Sequence, residues 1–356
     1  WLTAPIYQPG DAEADLLAAL LGGGKSSRLY KDLVYDKKIA QDATAQQYSL
    51  TLGSVFIVQA TAKPGVTLAQ LETAIEAELA RLRSEGPTQE ELDRARNGIE
   101  TRIVRGLESL GGFGGVADRL NQYNHFLGNP GFLAQDIGRY RAATPATLRD
   151  VAARTLTSTA RVLIEGVPGE KVLQDVPRRP VAAGKPQPLP PDTAAWRATQ
   201  PAAGPASNLA LPVPQRFTLS NGLTVLLLEQ HKLPVFAASL YVLRGSEANP
   251  PQLPGLAAFT ADMLDEGTAT RPALRLADDV AQIGATLGAG SSSDSSAVSV
   301  AALRSNADAA FALLADVALR PAFAPAEIER LRNERLTSLL QQRDDARSLA
   351  TRVFNR

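Results

Sequence analysis

The sequence predicts an α+β fold made of two domains that a proline-rich linker joins. In the first region, the predicted elements run helix, strands, long helices and strand, which favours α+β over a series of βαβ units. A second region again combines paired strands with helices, and the stretch between the two is unsuited to either. The chain has 356 residues, enough for two domains of ordinary size.

The first domain is predicted to span residues 1–170 and to begin with two helices. "DAEADLLAALL" has apolar residues at helical spacing and ends at the three glycines of residues 22–24. "SSRLYKDLVYDKK" predicts a second helix, with Ser26 or Ser27 at its N-cap. Residues 41–65 predict two strands around Gly53.

The rest of this domain is predicted to be mainly helical. "TLAQLETAIEAELARLRSEG" is an amphipathic pattern closed by glycine, and "PTQEELDRARNGIETRIVRGLES" starts with proline and an acidic turn. "PATLRDVAARTL" predicts a short helix, and "ARVLIEGVPG" predicts a closing strand.

Residues 171–214 contain ten prolines, which exclude helix and central strand and predict an extended linker. The second domain is then predicted to span residues 215–356. "SNG" between two apolar runs predicts a hairpin, and "VFAASLYVL" predicts the next strand. "GLAAFTADMLDEGT" predicts a helix packed through Leu256, Phe259 and Met263. "ALRLADDVAQIG" predicts another helix, and two strands meeting at a serine-rich turn and two further helices complete the domain.

The bulk composition excludes several classes of function. The formal net charge is zero, whereas a nucleic-acid-binding protein normally has a basic excess. There is no cysteine, and no apolar run approaches the roughly 18 residues of a membrane span. We expect no nucleic-acid partner and no membrane span, and we favour a periplasmic over a cytoplasmic location. The chain starts at Trp1 without methionine, so we expect it to be an internal segment of a longer protein.

Three local motifs have both a functional and an ordinary interpretation. Gly24-Lys25-Ser26 matches the end of a phosphate-binding loop, but Ala19 stands where that loop needs its first glycine, so a helix connection is favoured. His125 and His231 lack a second ligand at helical spacing, which favours surface positions. A glycine-rich segment is interpreted as a helix break or, less favoured, as a loop that contacts a peptide substrate through Gly111, Gly112, Gly114 and Gly115.

Three separated segments resemble the pitrilysin/insulinase (mitochondrial processing peptidase-like) zinc metallopeptidases. "LGGGKSSRLYKDLV" is similar to the start of a carboxyl-side domain of that family, and "RFTLSNGLTVLLLEQHKLPVFAASLYVLRGSEANPPQLPGLAAFTADMLDEGT" to the start of an amino-side domain. "LRPAFAPAEIERLRNERLTSL" resembles the helix that carries the family's last zinc ligand. The resemblance implies two processing-peptidase-like domains, each a mostly antiparallel sheet with helices packed on one face.

In this family, an H-x-x-E-H motif supplies two zinc-binding histidines and a glutamate base, and a distant glutamate completes the site. On this chain, the resemblance puts the first histidine at Ala258, the base at Ala261 and the second histidine at Asp262. The distant glutamate falls at Ser338, with Thr337 as the adjacent possibility. The family's substrate-holding Arg and Tyr fall near Val34 and Gln41.

We therefore expect no metal bound by this segment and no catalytic residue in it. The resemblance implies a non-catalytic portion of a bacterial zinc metallopeptidase that hydrolyses peptides in a closed chamber, where this segment shapes the chamber or holds substrate. Zinc is expected in an amino-terminal domain outside this sequence. The expected partners are a catalytic half, on the same chain or on another subunit, and a peptide. The alternative is a structural or binding protein of the same fold.

Overall fold

The computed structural model describes residues 1–169, 197, 199, 202, 204 and 211–354, without the side chain of Arg352. Most of the predicted linker lies outside these residues. The described chain forms two compact units: one combines residues 1–163 and 232–356, and the other covers residues 164–231. Within the first unit we name residues 1–163 the first lobe and residues 232–354 the second lobe. The domain boundaries predicted from the sequence stay a prediction.

A three-stranded antiparallel sheet and six α-helices form the first lobe. The strand order is β1-β3-β2, for β1 (Leu2–Thr3), β2 (Ala40–Tyr48) and β3 (Ser54–Ala62). The helices are α1 (Asp11–Gly22), α2 (Leu68–Glu85), α3 (Gln89–Gly106), α4 (Val116–Leu127), α5 (Leu133–Ala142) and α6 (Pro145–Thr155). Thr67, Thr88 and Thr144 each accept a hydrogen bond from the third backbone amide of the helix they cap.

The predicted second helix of this lobe forms with π-helical geometry over Tyr30–Asp36. The backbone amide of Lys37 donates to the carbonyl of Asp32, five residues earlier. One such turn brings Tyr30 and Tyr35 to the same side of the segment. Both tyrosines face the second lobe: Tyr30 accepts a hydrogen bond from Arg330 at 3.4 Å, and Tyr35 donates one to Glu327.

The first lobe has a leucine-rich core between α1, the sheet and the long helices. Leu16, Leu17 and Leu21 of α1 are almost fully buried. Each such leucine contributes about 1.5–3 kcal/mol by leaving water. The periodic apolar residues that predicted α1 are therefore those that fix it on the sheet.

The second lobe repeats the order of the first lobe: a strand, two helical segments, a hairpin and two helices. Its strands are β6 (Val235–Val242), β7 (Thr286–Ser291) and β8 (Ser296–Leu303), and their order β6-β8-β7 matches β1-β3-β2. The helices are α7 (Leu256–Leu264), α8 (Ala273–Gln282), α9 (Ala307–Leu319), α10 (Pro325–Gln342) and α11 (Ala346–Phe354). Its smaller core includes Leu276, Val300, Leu313 and Val317. The shared strand order supports an internal duplication that the residues alone do not reveal.

The second unit contains one described hairpin, β4 (Gln215–Thr218) with β5 (Thr224–Leu227). Gly222 has φ +86°, and the side chain of Asn221 accepts a hydrogen bond from the amide of Leu223 at 3.1 Å. The predicted "SNG" turn is therefore confirmed.

The predicted α+β class with small antiparallel sheets is confirmed, but the predicted closing strand is wrong. Residues 161–168 have no strand geometry, and Val162 and Ile164 are exposed. Branched apolar residues favour an extended backbone, yet a strand needs a neighbour for its hydrogen bonds, and no described strand pairs with this segment. Among the described helices, none is long and apolar enough to cross a membrane.

Candidate functional site: a degenerate metal-site helix

The helix that resembles the family's metal-binding helix is α7. It follows Gly255, which has φ +87°, and the side chain of Asn249 accepts a hydrogen bond from the amide of Ala257 at 2.9 Å. Asn249 thus satisfies one of the free amides at the start of the helix. The left-handed Gly267, with φ +109°, follows the end of the helix.

The packing face of α7 differs from the predicted one. Met263 is buried and Phe259 is half-buried, as expected, but Leu256 is 43% exposed. Ala261 is buried instead. Leu256 is the first residue of α7, where a side chain lies at the end of the helix and not over the sheet.

The four positions that the resemblance assigns to the zinc site carry almost no metal-binding groups. Ala258 and Ala261 have only methyl side chains. Asp262 is exposed, and its carboxylate accepts a hydrogen bond from the guanidinium group of Arg335 of α10 at 3.1 Å. The hydroxyl of Ser338 accepts a hydrogen bond from the amide of Gln342 at 3.4 Å.

Helices α7 and α10 run antiparallel, since Arg330 contacts Glu266 beyond the end of α7 while Arg335 contacts Asp262 one turn earlier. Ser338 follows Arg335 by one turn and therefore comes next to the turn of Ala258. The hydroxyl of the adjacent Thr337 instead donates to the carbonyl of Asn333 within α10 at 2.9 Å.

These residues do not fit a catalytic zinc ion. A catalytic zinc site takes three protein ligands, whereas these positions supply one carboxylate and one hydroxyl. Among the described residues, no group of three or more His, Cys, Asp or Glu side chains could hold a metal ion. The guanidinium group of Arg335 is the partner of the one carboxylate.

A buried ion-pair network begins immediately after α7. The ammonium group of Lys25 lies 3.1 Å from a carboxylate oxygen of Asp265 and 2.7 Å from one of Glu266. Glu266 also pairs with the buried Arg330, which donates to Glu327 at 2.6 Å. The sequence interpretation did not anticipate this network.

The carboxylates of this network stabilise the charged forms of Lys25 and Arg330. Burial alone would lower the pKa of Lys25, but Glu266 and Asp265 raise it above its ordinary value. Burial likewise opposes the charge of Arg330, whose pKa is nevertheless raised by Glu266 and Glu327. The hydroxyl of Tyr35 donates to Glu327 at 2.6 Å, and this hydrogen bond, with burial, raises the pKa of Tyr35 to about 12.

A second set of contacts joins α8 to the first lobe. Lys31 donates to Asp278 at 2.7 Å, and the amide of Asn97 donates to the carbonyl of Gln282 at 2.7 Å. Gly284 lies so close to α3 that a Cβ there would stand 2.5 Å from the carbonyl oxygen of Asn97. The two lobes therefore meet reciprocally: the segment after α1 contacts α10, and α8 contacts α3.

The remaining candidate residues belong to segments other than α7. The Gly24-Lys25-Ser26 turn follows helix α1, as expected of a helix connection, and Lys25 makes the ion pairs described above. His125 and His231 are both exposed. Val34 is buried, and the amides of Gln41 and Gln341 exchange two hydrogen bonds at 3.0 and 3.2 Å.

The glycine-rich segment forms the break between α3 and α4. Gly112 and Gly114 have φ +79° and +81°, while Gly111 and Gly115 have negative φ, and the Phe113 side chain between them is fully exposed. The predicted helix break is confirmed. A contact with substrate through these glycines stays a prediction.

Comparisons with known proteins find one family on both lobes. The profile described as "Peptidase M16 inactive domain" matches residues 1–99, and the profile described as "Insulinase (Peptidase family M16)" matches residues 224–353. Zinc protease PqqE of Helicobacter pylori is 36% identical over 120 residues, which cover 33% of this chain and only 27% of that protein.

Two solved structures are also similar over part of the chain. A protease from Helicobacter pylori has 26% identity and a TM-score of 0.41, over 45% of this chain and 38% of the other. The peptidase M16 inactive domain from Pseudomonas fluorescens has 28% identity and a TM-score of 0.37, over 39% of this chain and 34% of the other.

Proposed function

Because this chain belongs to the insulinase (M16) peptidase family, we propose that it is a non-catalytic portion of a zinc metallopeptidase. In this proposal, the zinc ion is held by another domain of a longer protein, and the present segment shapes the chamber or holds the peptide. The partner is the catalytic half, on the same chain or on another subunit.

The observation that carries the proposal is the chemistry of the α7–α10 pair. Ala261 cannot accept a proton from water, and Ala258 offers no ligand atom. Asp262, where the family has its second histidine, is the partner of Arg335. The helices thus keep the antiparallel pairing while the groups that would perform hydrolysis are replaced.

Zinc binding and peptide hydrolysis by the purified 356-residue chain test this proposal. We expect no stoichiometric zinc by elemental analysis after dialysis against zinc, and no cleavage of quenched fluorescent peptides. Stoichiometric zinc together with peptide cleavage would disprove it.

A gain-of-binding variant tests the assignment of the positions. The substitutions Ala258→His, Asp262→His and Ser338→Glu supply three ligands, and Ala261→Glu supplies the base. We expect this variant to bind one zinc ion. The matched control carries Thr337→Glu in place of Ser338→Glu and should bind zinc at least about tenfold more weakly, because its carboxylate is displaced around α10. Equal zinc affinity of the two variants would contradict the assignment of Ser338.

A further inference from the structure

The first lobe has its own counterpart of the degenerate site. Asp15, Ala18 and Ala19 have the same mutual spacing on α1 as Ala258, Ala261 and Asp262 have on α7. Both sets stand at the same distance before a left-handed glycine, Gly24 or Gly267.

Helix α3 supplies the position that corresponds to Ser338. Glu91 is the third residue of α3, and Glu327 is the third residue of α10. The number of positions from Glu91 to Arg102 equals the number from Glu327 to Ser338. The shared strand order and these spacings place Asp15 and Arg102 where the second lobe has Ala258 and Ser338.

A cavity of about 580 Å³ lies at this place. It is bounded by α1, α3, β2 and the end of α8, and its volume is in the range of small-ligand sites. Its apolar wall includes Leu20, Ala95, Ile99 and Ile103. Gly98 of α3 also faces it, and a Cβ there would meet no atom within 4 Å.

Three arginines line the cavity, and among them the exposed Arg102 has its hydrogen-bonding groups free. Arg94 pairs with Glu90, and Arg119 lies 3.6 Å from a carboxylate oxygen of Asp136. Arg102 makes no hydrogen bond or ion pair within the part of the chain that the structure describes. The buried Nε of Arg119 likewise lacks a partner among these residues. Unused guanidinium donors at a cavity are suited to an anion, and to a planar carboxylate above all.

The carboxyl group of Asp15 does not oppose such an anion. The hydroxyl of Tyr140 donates to it at 2.7 Å. Burial raises the pKa of Asp15 to about 7, although the Tyr140 hydrogen bond and the charges of Arg139 and Arg102 lower it. Near neutral pH, a large fraction of Asp15 is therefore uncharged.

We propose that this cavity binds a peptide carboxylate, with Arg102 as the group that pairs with it. The choice of a peptide as the carrier of the carboxylate rests on the proposed function. The apolar wall and the open space at Gly98 accommodate the side chains next to the carboxylate. The carboxylate is either the carboxyl terminus of the peptide or an acidic side chain near it.

Isothermal titration of the full chain with N-acetylated tetrapeptides of alanine and leucine tests this inference. One peptide has a free carboxyl terminus, one has a terminal amide, and one has a terminal amide and a glutamate side chain. We expect the free acid to bind at least about tenfold more tightly than the plain amide, because a charged hydrogen-bonded pair is lost in the amide. If the glutamate peptide binds as tightly as the free acid, an acidic side chain can supply the carboxylate equally well.

Two substitutions locate the site. Arg102→Gln should reduce binding of the free acid to the level of the amide, whereas the control Arg105→Gln, one turn away on α3 and outside the cavity lining, should leave it unchanged. Gly98→Leu should fill the cavity and weaken every peptide, whereas Gly138→Leu on α5, outside the cavity lining, should not.

The inference would be overturned if the free acid and the plain amide bound equally well, or if Arg102→Gln bound the free acid as tightly as the unmodified protein does. It would also be overturned if the free acid did not bind at millimolar concentration. These results would leave the proposed function standing, because that function fails only through zinc binding and hydrolysis by this chain.

Discussion

The ammonium group of Lys25 lies 2.7 Å from a carboxylate oxygen of Glu266, although 241 positions separate the two residues in the sequence. Lys25 belongs to the glycine-rich turn after α1, and Glu266 follows α7. The two helices that correspond in the internal duplication are thus joined at their carboxyl ends. In the second lobe, the end of α7 therefore helps to hold the two lobes together.

Lys25→Gln is expected to weaken the contact between the lobes. Glu266 is buried and keeps Arg330 as a partner, while the Lys25 side chain is 32% exposed, so we expect a loss of about 1–2 kcal/mol in the free energy of unfolding. Urea denaturation measures this loss. The pKa of Lys25 is raised in the folded protein, so its contribution is present below about pH 10.5 and is lost as the pH rises above that value.

Lys37→Gln is the control for this experiment. Lys37 pairs with Asp32 at 2.6 Å on the surface of the first lobe and is 44% exposed. We expect a change below about 0.5 kcal/mol. Equal losses in the free energy of unfolding for the two substitutions would show that the Lys25 contact stabilises the protein no more than a surface ion pair does.

Local sequence patterns predicted the individual elements but not the contact between the lobes. Helices α1, α2, α3 and α6 and the hairpin at Gly222 follow from periodicity, caps and turn residues, which act over a few positions, whereas α4 and α5 were not predicted. The pairs of Lys25 with Glu266 and of Asn97 with Gln282 join distant segments, and no local pattern marks them.

The candidate site was located by resemblance and not by physical chemistry. Ala258 and Ala261 carry no chemical signal of their own, so only the surrounding motif indicates their positions. The ion pair of Asp262 with Arg335 and the cavity at Arg102 depend on how helices pack, which residue spacing alone does not determine. The prediction of a closing strand over residues 160–169 was wrong for a related reason, since strand formation depends on a partner.

Gly284→Ala is expected to separate α8 from α3. Gly284 has φ +60°, and a Cβ would lie 2.5 Å from the carbonyl oxygen of Asn97 and 2.7 Å from the hydroxyl of Thr101. Strain and displacement together should cost at least about 2 kcal/mol. Urea denaturation should show this loss. Gly288→Ala in β7, where no atom lies within 4 Å of the added carbon, is the matched control and should change stability by less than about 1 kcal/mol.

Asp15→Asn is expected to change how stability depends on pH. Because burial raises the pKa of Asp15 from 3.8 to about 7, the folded state binds the proton more tightly than the unfolded state. The stability of the unmodified protein should therefore fall by up to about 4 kcal/mol as the pH rises from 4 to 7, through this group alone. Asparagine can still accept the hydrogen bond of Tyr140, so the variant should lack that loss.

The difference between the two unfolding free energies, measured in urea at several pH values, isolates the contribution of Asp15 from other titrating groups. Asp150→Asn, on the exposed side of α6, is the control and should leave the pH dependence unchanged. Parallel curves for the unmodified protein and Asp15→Asn would contradict the prediction.

Asp316→Asn is expected to release the segment after α7 from α9. The carboxylate of Asp316 is fully buried and accepts hydrogen bonds from Thr268 at 2.7 Å, Thr270 at 2.8 Å and Arg271 at 2.5 Å. Burial alone would raise its pKa, but these hydrogen bonds lower it from 3.8 to about 2. The neutral amide removes the buried charge that Arg271 and Arg320 share, although Arg271 keeps its pair with Asp279, so we expect a loss of about 3 kcal/mol at neutral pH.

The pH dependence of the unfolding free energy tests the role of Asp316 a second time. An acid with a lowered pKa stabilises the fold above its unfolded pKa, and this contribution, about 2 kcal/mol, is lost as the pH falls from about 4 to 2. The difference in unfolding free energy between the unmodified protein and Asp316→Asn should therefore narrow over that interval. A constant difference from neutral pH down to pH 2 would show that Asp316 acts through its shape and not through its charge.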